Sequence, residues 1–246
     1  MKLRDFFAQH PRAALAFSGG VDSAYLLWAG VSAGAEVRPY FVKTPFQPEF
    51  ELEDARRLCR ELGVELTELH LELPAVVLEN PRDRCYSCKH ALFACLWERV
   101  RQDGFDLLLD GTNASDDPTD RPGMRALTEL SVLSPLRMCG LSKAQIRENS
   151  KQAGLFAWEK PAYACLATRF PAGTPITPEK LRDVEAAEGL LFSLGFTDFR
   201  VRVYGDAARI QVPERQMERL LSRRREIIAA LKKRFHGVFL DMEGRP

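Results

Sequence analysis

The sequence has no apolar run approaching the ~20 residues that a membrane-spanning helix needs. Its first residues, Met1-Lys2-Leu3-Arg4-Asp5-Phe6-Phe7, lack the apolar core of a secretory signal. Net charge is almost absent: 35 Lys and Arg against 34 Asp and Glu leave +1, so there is no global electrostatic case for nucleic acid or an acidic membrane surface. A cytoplasmic protein is expected. Six cysteines in 246 residues do not make a disulfide scaffold, and a reducing compartment keeps them as thiols. There is no second Cys-x-x-Cys and no His pair at zinc spacing. What is left is an ordinary globular composition, 46% hydrophobic and 28% charged, long enough for one large domain or a medium one plus a small one.

Within that composition one stretch stands out. Ala13–Phe17 is a short apolar run, it stops at Ser18-Gly19-Gly20-Val21-Asp22-Ser23, and Val21, Tyr25 and Trp28 then recur near helical spacing. The pattern predicts strand, tight turn, helix. Gly19 and Gly20 let the backbone approach a ligand without a Cβ in the way. The helix N-terminus then offers free N–H groups and the positive end of its dipole to a phosphate. Ser18 and Ser23 add hydroxyls, and Asp22 is placed to hold magnesium. No Gly-Lys-Ser/Thr follows, so this is not the Walker-type loop.

Further strands are expected at Glu36–Val42, Val64–Leu69, Asp106–Asp110 and Ser131–Leu136, with a helix over Glu49–Leu62 that stops at Gly63. Alternating strands and helices predict an α/β doubly wound parallel sheet, with ligands gathered at the carboxyl ends of its strands. Lys43-Thr44-Pro45 then lies near the adenine of a bound nucleotide. Gly111, Thr112 and Asn113 face the same ligand, and Asp116 and Asp117 are candidates for magnesium or a substrate cation. Arg121-Pro122-Gly123 prolongs that exposed loop. Ser142 and Gln145 form a capping box that opens a helix running to Ala153 and ended by Gly154.

The cysteines divide into two groups. Cys59 and Cys95 read as small apolar residues on buried helix faces, and Cys139 as structural. Cys85 and Cys88 form a Cys-x-x-Cys at the mouth of a helix expected from about His90 to Val100, where the dipole favours thiolates. A redox pair, half a zinc site, two ligands of an iron–sulfur cluster, or two unconnected thiols all fit that spacing. Cys165 sits in Glu159–Pro171, a stretch with neither helical nor strand period. Such segments in compact domains are functional or disordered, and its apolar content argues against disorder.

From Thr177 the character changes. Thr177 caps and Pro178 starts a helix to about Leu194. Phe199–Tyr204 and Ala208–Val212 alternate as a hairpin around Gly205-Asp206, which puts Arg200 and Arg202 on one face and Arg209 with Gln211 on another strand's face. A solvated basic face is one reading; a phosphate held by the arginine forks is the other. A helix from Pro213 to Arg234, broken near Ser222, and a strand Val238–Leu240 complete a small α+β domain. The expected division is 1–172 and 173–246.

The six residues Ser18–Ser23 resemble the pyrophosphate-binding PP-loop of the N-type ATP pyrophosphatases. Together with Arg84-Cys85-Tyr86-Ser87-Cys88-Lys89, Gly111–Asp117, Pro161-Ala162-Tyr163-Ala164-Cys165-Leu166-Ala167-Thr168-Arg169 and Phe199–Arg202, they make the whole chain similar to the LarE family. These are ATP-dependent sulfur transferases of nickel-pincer nucleotide cofactor biosynthesis. The resemblance implies that Mg-ATP adenylylates the carboxylates of pyridinium-3,5-biscarboxylic acid mononucleotide and that sulfur then replaces AMP to give thiocarboxylates. In one branch of the family the cysteine matching Cys165 gives up its own sulfur. In the other, three cysteines, here Cys85, Cys88 and Cys165, hold a [4Fe–4S] cluster that delivers sulfide. The three-thiol set favours the second. The same resemblance assigns the substrate phosphate to Arg200, Arg202 and Arg169 with Glu188 nearby. Gln211 stands where the family's hairpin is expected to carry Glu, so a metal role there is not carried over. Homo-oligomers, hexamers built from trimers, are expected from the family. The competing functions are a PP-loop ligase making an amide or thiolating tRNA, and a non-catalytic nucleotide sensor.

Overall fold

The computed structural model describes residues 2–116 and 122–245. Asp117 and Arg121, both named in the sequence analysis, lie outside the described residues. Two compact units divide the chain: residues 1–77 with 83–160, and residues 78–82 with 161–246. The second therefore begins at Pro161 rather than after residue 172, and it also takes in a strip of the N-terminal half.

In the first unit the elements alternate. Helix α1 (Leu3–Gln9) leads into β1 (Arg12–Ala16), α2 (Val21–Ser32), β2 (Glu36–Lys43), α3 (Glu49–Leu62) and β3 (Thr67–His70). A short turn α4 (Ala75–Leu78) precedes α5 (Arg84–Gln102), β4 (Leu108–Leu109), α6 (Pro122–Glu129), α7 (Pro135–Met138) and α8 (Lys143–Gln152). The four strands are parallel in the order β3-β2-β1-β4. Side-chain alternation along them builds two apolar layers. Ala13, Leu15, Val37, Phe41 and Leu109 point to one, with Phe6, Leu26, Leu27, Leu58 and Ile146 of α1, α2, α3 and α8. Ala14, Tyr40, Val42 and Leu108 point to the other, with Phe93, Leu96 and Val100 of α5 and Leu127 of α6. Helices on both faces of a parallel sheet are the doubly wound α/β arrangement expected.

The chain leaves β1 towards β2 and β3, then returns to β4 on the other side of β1. Strand order therefore reverses between β1 and β4, and in open parallel sheets ligands bind at that switch point, beyond the carboxyl ends of the strands. The loops there are Phe17–Gly20 after β1 and Asp110–Asp116 after β4.

Several expectations change. Ser131–Leu136 is not a strand: only Leu133 bridges Leu109, and Pro135, at the first position of α7, starts a helical turn. Pro122 and Gly123 open α6 instead of extending the preceding loop. Helix α5 begins at Arg84, six residues before the expected start, because nothing after Pro81 interrupts a helix. Cys59 is buried as expected, but Cys95 and Cys139 are half-exposed. Glu49–Leu62, closed by Gly63 at φ 67°, and the Ser142–Gln145 capping box form as read.

In the second unit, α9 (Pro178–Ser193), capped by Thr177, precedes the hairpin β5 (Arg200–Tyr204) and β6 (Ala207–Gln211). Then come α10 (Met217–Ser222), α11 (Arg224–Leu231) and β7 (Gly237–Leu240), which pairs parallel with β6. Val201, Val203, Ala208 and Ile210 on one sheet face are buried, as are Leu181, Val184, Ala187 and Leu191 of α9. Asn80 ties the strip 78–82 into this unit. It is fully buried at φ 59°, and its amide donates to the carbonyls of Pro171 (2.7 Å) and Thr174 (3.0 Å). Among the described residues no helix is long and apolar enough to cross a membrane.

Candidate active site

The turn after β1 is held by its own hydroxyls. The Ser18 and Ser23 hydroxyls are 3.2 Å apart, Ser23 Oγ donates to the Gly20 carbonyl at 3.1 Å, and the Gly20 N–H donates to Ser18 Oγ at 3.4 Å. Gly19 is at φ 70°, and a Cβ there would stand 3.1 Å from the Glu51 carbonyl oxygen and 3.2 Å from the Ala55 nitrogen, so α3 packs directly on the turn. Only glycine allows both the conformation and the approach. Gly20 then precedes α2, whose first turn carries Val21, Asp22 and Ser23 at the positive end of the helix dipole.

The β4 loop lies against this turn. A Cβ on Gly111 would stand 3.0 Å from the Ser23 nitrogen and 3.4 Å from the Asp22 Cβ. Asn113 connects the two carboxylates nearby: its amide donates to Asp22 Oδ1 at 3.4 Å, and its N–H donates to Asp116 Oδ2 at 3.0 Å. Lys143, at the first position of α8, donates from Nζ to Asp22 Oδ2, and its N–H donates to Ser115 Oγ at 3.0 Å. Sequence reasoning saw in this segment only a helix start. Lys143 arrives at the Ser18–Ser23 turn because the chain bridging at Leu133 rises beside β4 to the same end of the sheet.

Asp110 was also missed. It is buried, and its carboxylate accepts hydrogen bonds from Ser134 Oγ at 2.6 Å and from Thr112 Oγ1. Burial pushes its carboxyl up, against the pull of those two hydroxyls and of the Lys89 charge. It fixes the orientation of Thr112. Thr44, at the end of β2, is buried and donates from Oγ1 to Gln47 Oε1 at 2.6 Å, while its own Oγ1 accepts the Phe46 N–H at 3.1 Å.

Cys85 and Cys88 lie within the first two turns of α5, three residues apart and so on one helix face. Cys85 is exposed and receives the Arg84 guanidinium at 3.8 Å. Cys165 belongs to the second unit. Among the described residues no three His, Cys, Asp or Glu side chains are grouped so as to hold a metal ion. Cys85 and Cys88 are thus a pair of thiols on one helix of the first unit.

In the second unit Cys165 precedes a single tight turn, Leu166–Arg169. Its carbonyl accepts from the Thr168 N–H (3.0 Å) and hydroxyl (2.8 Å). Arg169 is fully buried and forms a forked ion pair with Glu188 at 2.8 and 2.9 Å. The hairpin face bearing Arg200 and Arg202 is not a solvated one. Arg200 is buried and donates to the carbonyls of Phe199 (2.6 Å) and Ala162 (2.7 Å); Arg202 donates to Gln211 Oε1 (2.6 Å) and the Thr168 carbonyl (2.7 Å). The segment around Cys165 covers them. Burial, with the charges of Arg169 and Arg245, pushes the Arg200 guanidinium down to about 10, so it stays charged at neutral pH. Burial followed by the charges of Arg169, Arg209 and Arg245 lowers Arg202 as well. Gln211 Nε2 donates to Asp241 at 2.7 Å, a structural role.

No family model matches the chain. An uncharacterized protein of Synechocystis sp. is 36% identical over 98% of this chain and 92% of its own length. An uncharacterized protein of Methanocaldococcus jannaschii is 31% identical over 93% of this chain and 88% of its own length. The pyridinium-3,5-bisthiocarboxylic acid mononucleotide synthase of Lactiplantibacillus plantarum is 33% identical over 82% of this chain and 75% of that synthase. Identity at that level across 82% of this chain and three quarters of the synthase places the chain in the LarE family.

Proposed function

We propose that the protein is an ATP-dependent sulfurtransferase that converts the carboxylates of pyridinium-3,5-biscarboxylic acid mononucleotide into thiocarboxylates, in nickel-pincer cofactor biosynthesis. The observation that carries this reading is the meeting of the Ser18–Ser23 turn with Gly111–Asn113 at the point where strand order reverses, in a chain of this family. The backbone N–H groups at the start of α2 face the phosphates, and preorganised donors of this kind stabilise charge as it moves onto departing pyrophosphate. A substrate carboxylate oxygen bonds to the α-phosphorus as the bond to pyrophosphate breaks. A sulfur nucleophile then bonds to the acyl carbon as AMP leaves.

Asp22, with Asn113 and Asp116 beside it, would hold the magnesium ion, which screens phosphate charge when bound. Lys143 pairs with Asp22 and would lie where the phosphates arrive. Arg200 and Arg202 each donate two hydrogen bonds to protein oxygens, fewer than the five a guanidinium carries, and take the substrate phosphate with the remainder.

Cys165 takes part in sulfur delivery, in one of two versions. A [4Fe–4S] cluster on Cys85, Cys88 and Cys165 supplies, when bound, an iron open to an extra sulfide. The chemistry of three thiols and the shared helix face of two of them support that version. In the second version Cys165 Sγ itself bonds to the acyl carbon; loss of its α-proton and cleavage of its Cβ–S bond leave the thiocarboxylate and a dehydroalanine.

The reaction is tested by pyrophosphate release that depends on the pyridinium substrate, together with product mass. A thiocarboxylate supports the reading, an amide points to a ligase, and no substrate-dependent release leaves a nucleotide sensor. Iron after anaerobic purification, lost in Cys85→Ser, supports the cluster; an iron-free protein whose Cys165 loses 34 mass units on turnover (about one H₂S, the elimination written above) supports the sacrificial route.

A further inference from the structure

Glu188 is buried on α9 and accepts hydrogen bonds from four donors: both arms of the Arg169 fork, the Tyr163 hydroxyl and the Val201 N–H at 2.9 Å. Its lone pairs are spent inside the protein. Arg169 is equally committed. Beyond the fork to Glu188, its remaining terminal nitrogen donates to Thr168 Oγ1 (2.7 Å), to the Ala164 carbonyl (2.9 Å) and to the Cys165 carbonyl (3.4 Å). Its guanidinium also lies 4.5 Å from the centre of the Tyr163 ring. A side chain with 0% exposure and its nitrogens engaged in this way has no donor to offer a substrate phosphate. The groups it holds are the two carbonyls and the hydroxyl that bracket Cys165.

We infer that Arg169 and Glu188 are positioning residues: a buried clamp that fixes the main chain around Cys165, with Glu188 orienting the fork and Arg169 gripping the turn, rather than ligands of the substrate. A buried ion pair adds little stability over apolar replacements, which makes a positional purpose for this one physically sensible. Its effect on chemistry runs through geometry, since misplacing a reacting group by about 1 Å costs on the order of 100-fold in rate. The inference rests on the proposed sulfur transfer, in which adenylylation and sulfur delivery are separate steps and only the second uses Cys165.

The test is Arg169→Lys in the full-length enzyme, which keeps the charge opposite Glu188 but loses the fork and the grip on the turn. Thiocarboxylate formed per pyrophosphate released is expected to fall about tenfold or more, with the KM for the pyridinium substrate unchanged. Hydrogen exchange at the amides of 164–168 rises while the rest of the chain is unaffected. Tyr163→Phe, a milder change that removes one donor to Glu188, lowers the same ratio by a smaller factor and serves if Arg169→Lys does not fold. A raised substrate KM with the ratio intact would make Arg169 a phosphate ligand and overturn the inference. A parallel loss of both partial reactions with lowered Tm would reduce the pair to ordinary core structure and overturn it too. If the wild type releases no pyrophosphate with the substrate, it is the functional reading that falls, and local exchange at 164–168 alone then decides for or against the clamp.

Discussion

Lys143 donates to the Asp22 carboxylate across 121 residues of sequence, so the first turn of α8 and the first turn of α2 share one charge pair beside the Ser18–Ser23 turn. A bare carboxylate in that place repels phosphate. Pairing with the Lys143 ammonium offsets that repulsion. Lys143→Ala is therefore expected to lower kcat/KM for ATP by about 100-fold, the scale for losing one preorganised charge contact. Lys143→Arg should restore part of it. Pyrophosphate release measured against ATP concentration checks both.

Gly111→Ala places a methyl 3.0 Å from the Ser23 nitrogen, a backbone atom that cannot step aside. The two loops must separate, and the nucleotide contacts with them. We expect a protein that folds, with Tm a few degrees lower, about 1 kcal/mol, but whose affinity for Mg-ATP falls at least about tenfold by titration calorimetry.

Arg200→Ala and Arg202→Ala together should raise the KM for the pyridinium mononucleotide at least about tenfold, each charged phosphate contact contributing about 1.5–3 kcal/mol. The KM for ATP should stay within about twofold, because these residues lie in the other unit. Initial rates with each substrate varied in turn separate the two.

Burial pushes the Cys59 thiol up to about 12, while in an unfolded chain it titrates near 8.5. The native state thus holds this proton more tightly than the unfolded one. The stability it contributes is complete below about pH 8.5 and is lost as pH rises from there towards 12, at up to about 1.4 kcal/mol per pH unit. The urea midpoint should fall between pH 8 and 10, and Cys59→Ala should flatten that fall. Cys59 should also resist iodoacetamide at pH 8 under conditions where exposed Cys85 reacts.

The fold of the first unit was legible because its signals are local. A glycine that must take φ 70°, a serine pair and a helix start are written in six consecutive residues, and strand–helix alternation set the sheet around them. The positions of Lys143 and Asp110 beside the Ser18–Ser23 turn were not legible, since they depend on where β4 and Leu133 carry the chain, a long-range fact with no local period. The sequence placed the hairpin arginines on one face but left their surroundings open, solvent or a bound phosphate. Alternation tells which side of a strand a residue occupies, but not that an aperiodic segment 34 to 38 residues earlier will cover it. Arg169 and Glu188 illustrate the same limit: a charged residue inside an irregular stretch carries no mark of burial.

The strip held by Asn80 has a consequence for dissecting the molecule. The backbone crosses between the two units after residues 77, 82 and 160, so no single cut separates them. A fragment ending at Lys160 would keep Leu78–Arg82 but lose Pro171, Thr174 and Ile176, the residues whose main chain that strip bonds. Proteolysis or truncation should accordingly yield no autonomous first unit, and the α5 helix bearing Cys85 and Cys88 would start from a frayed end.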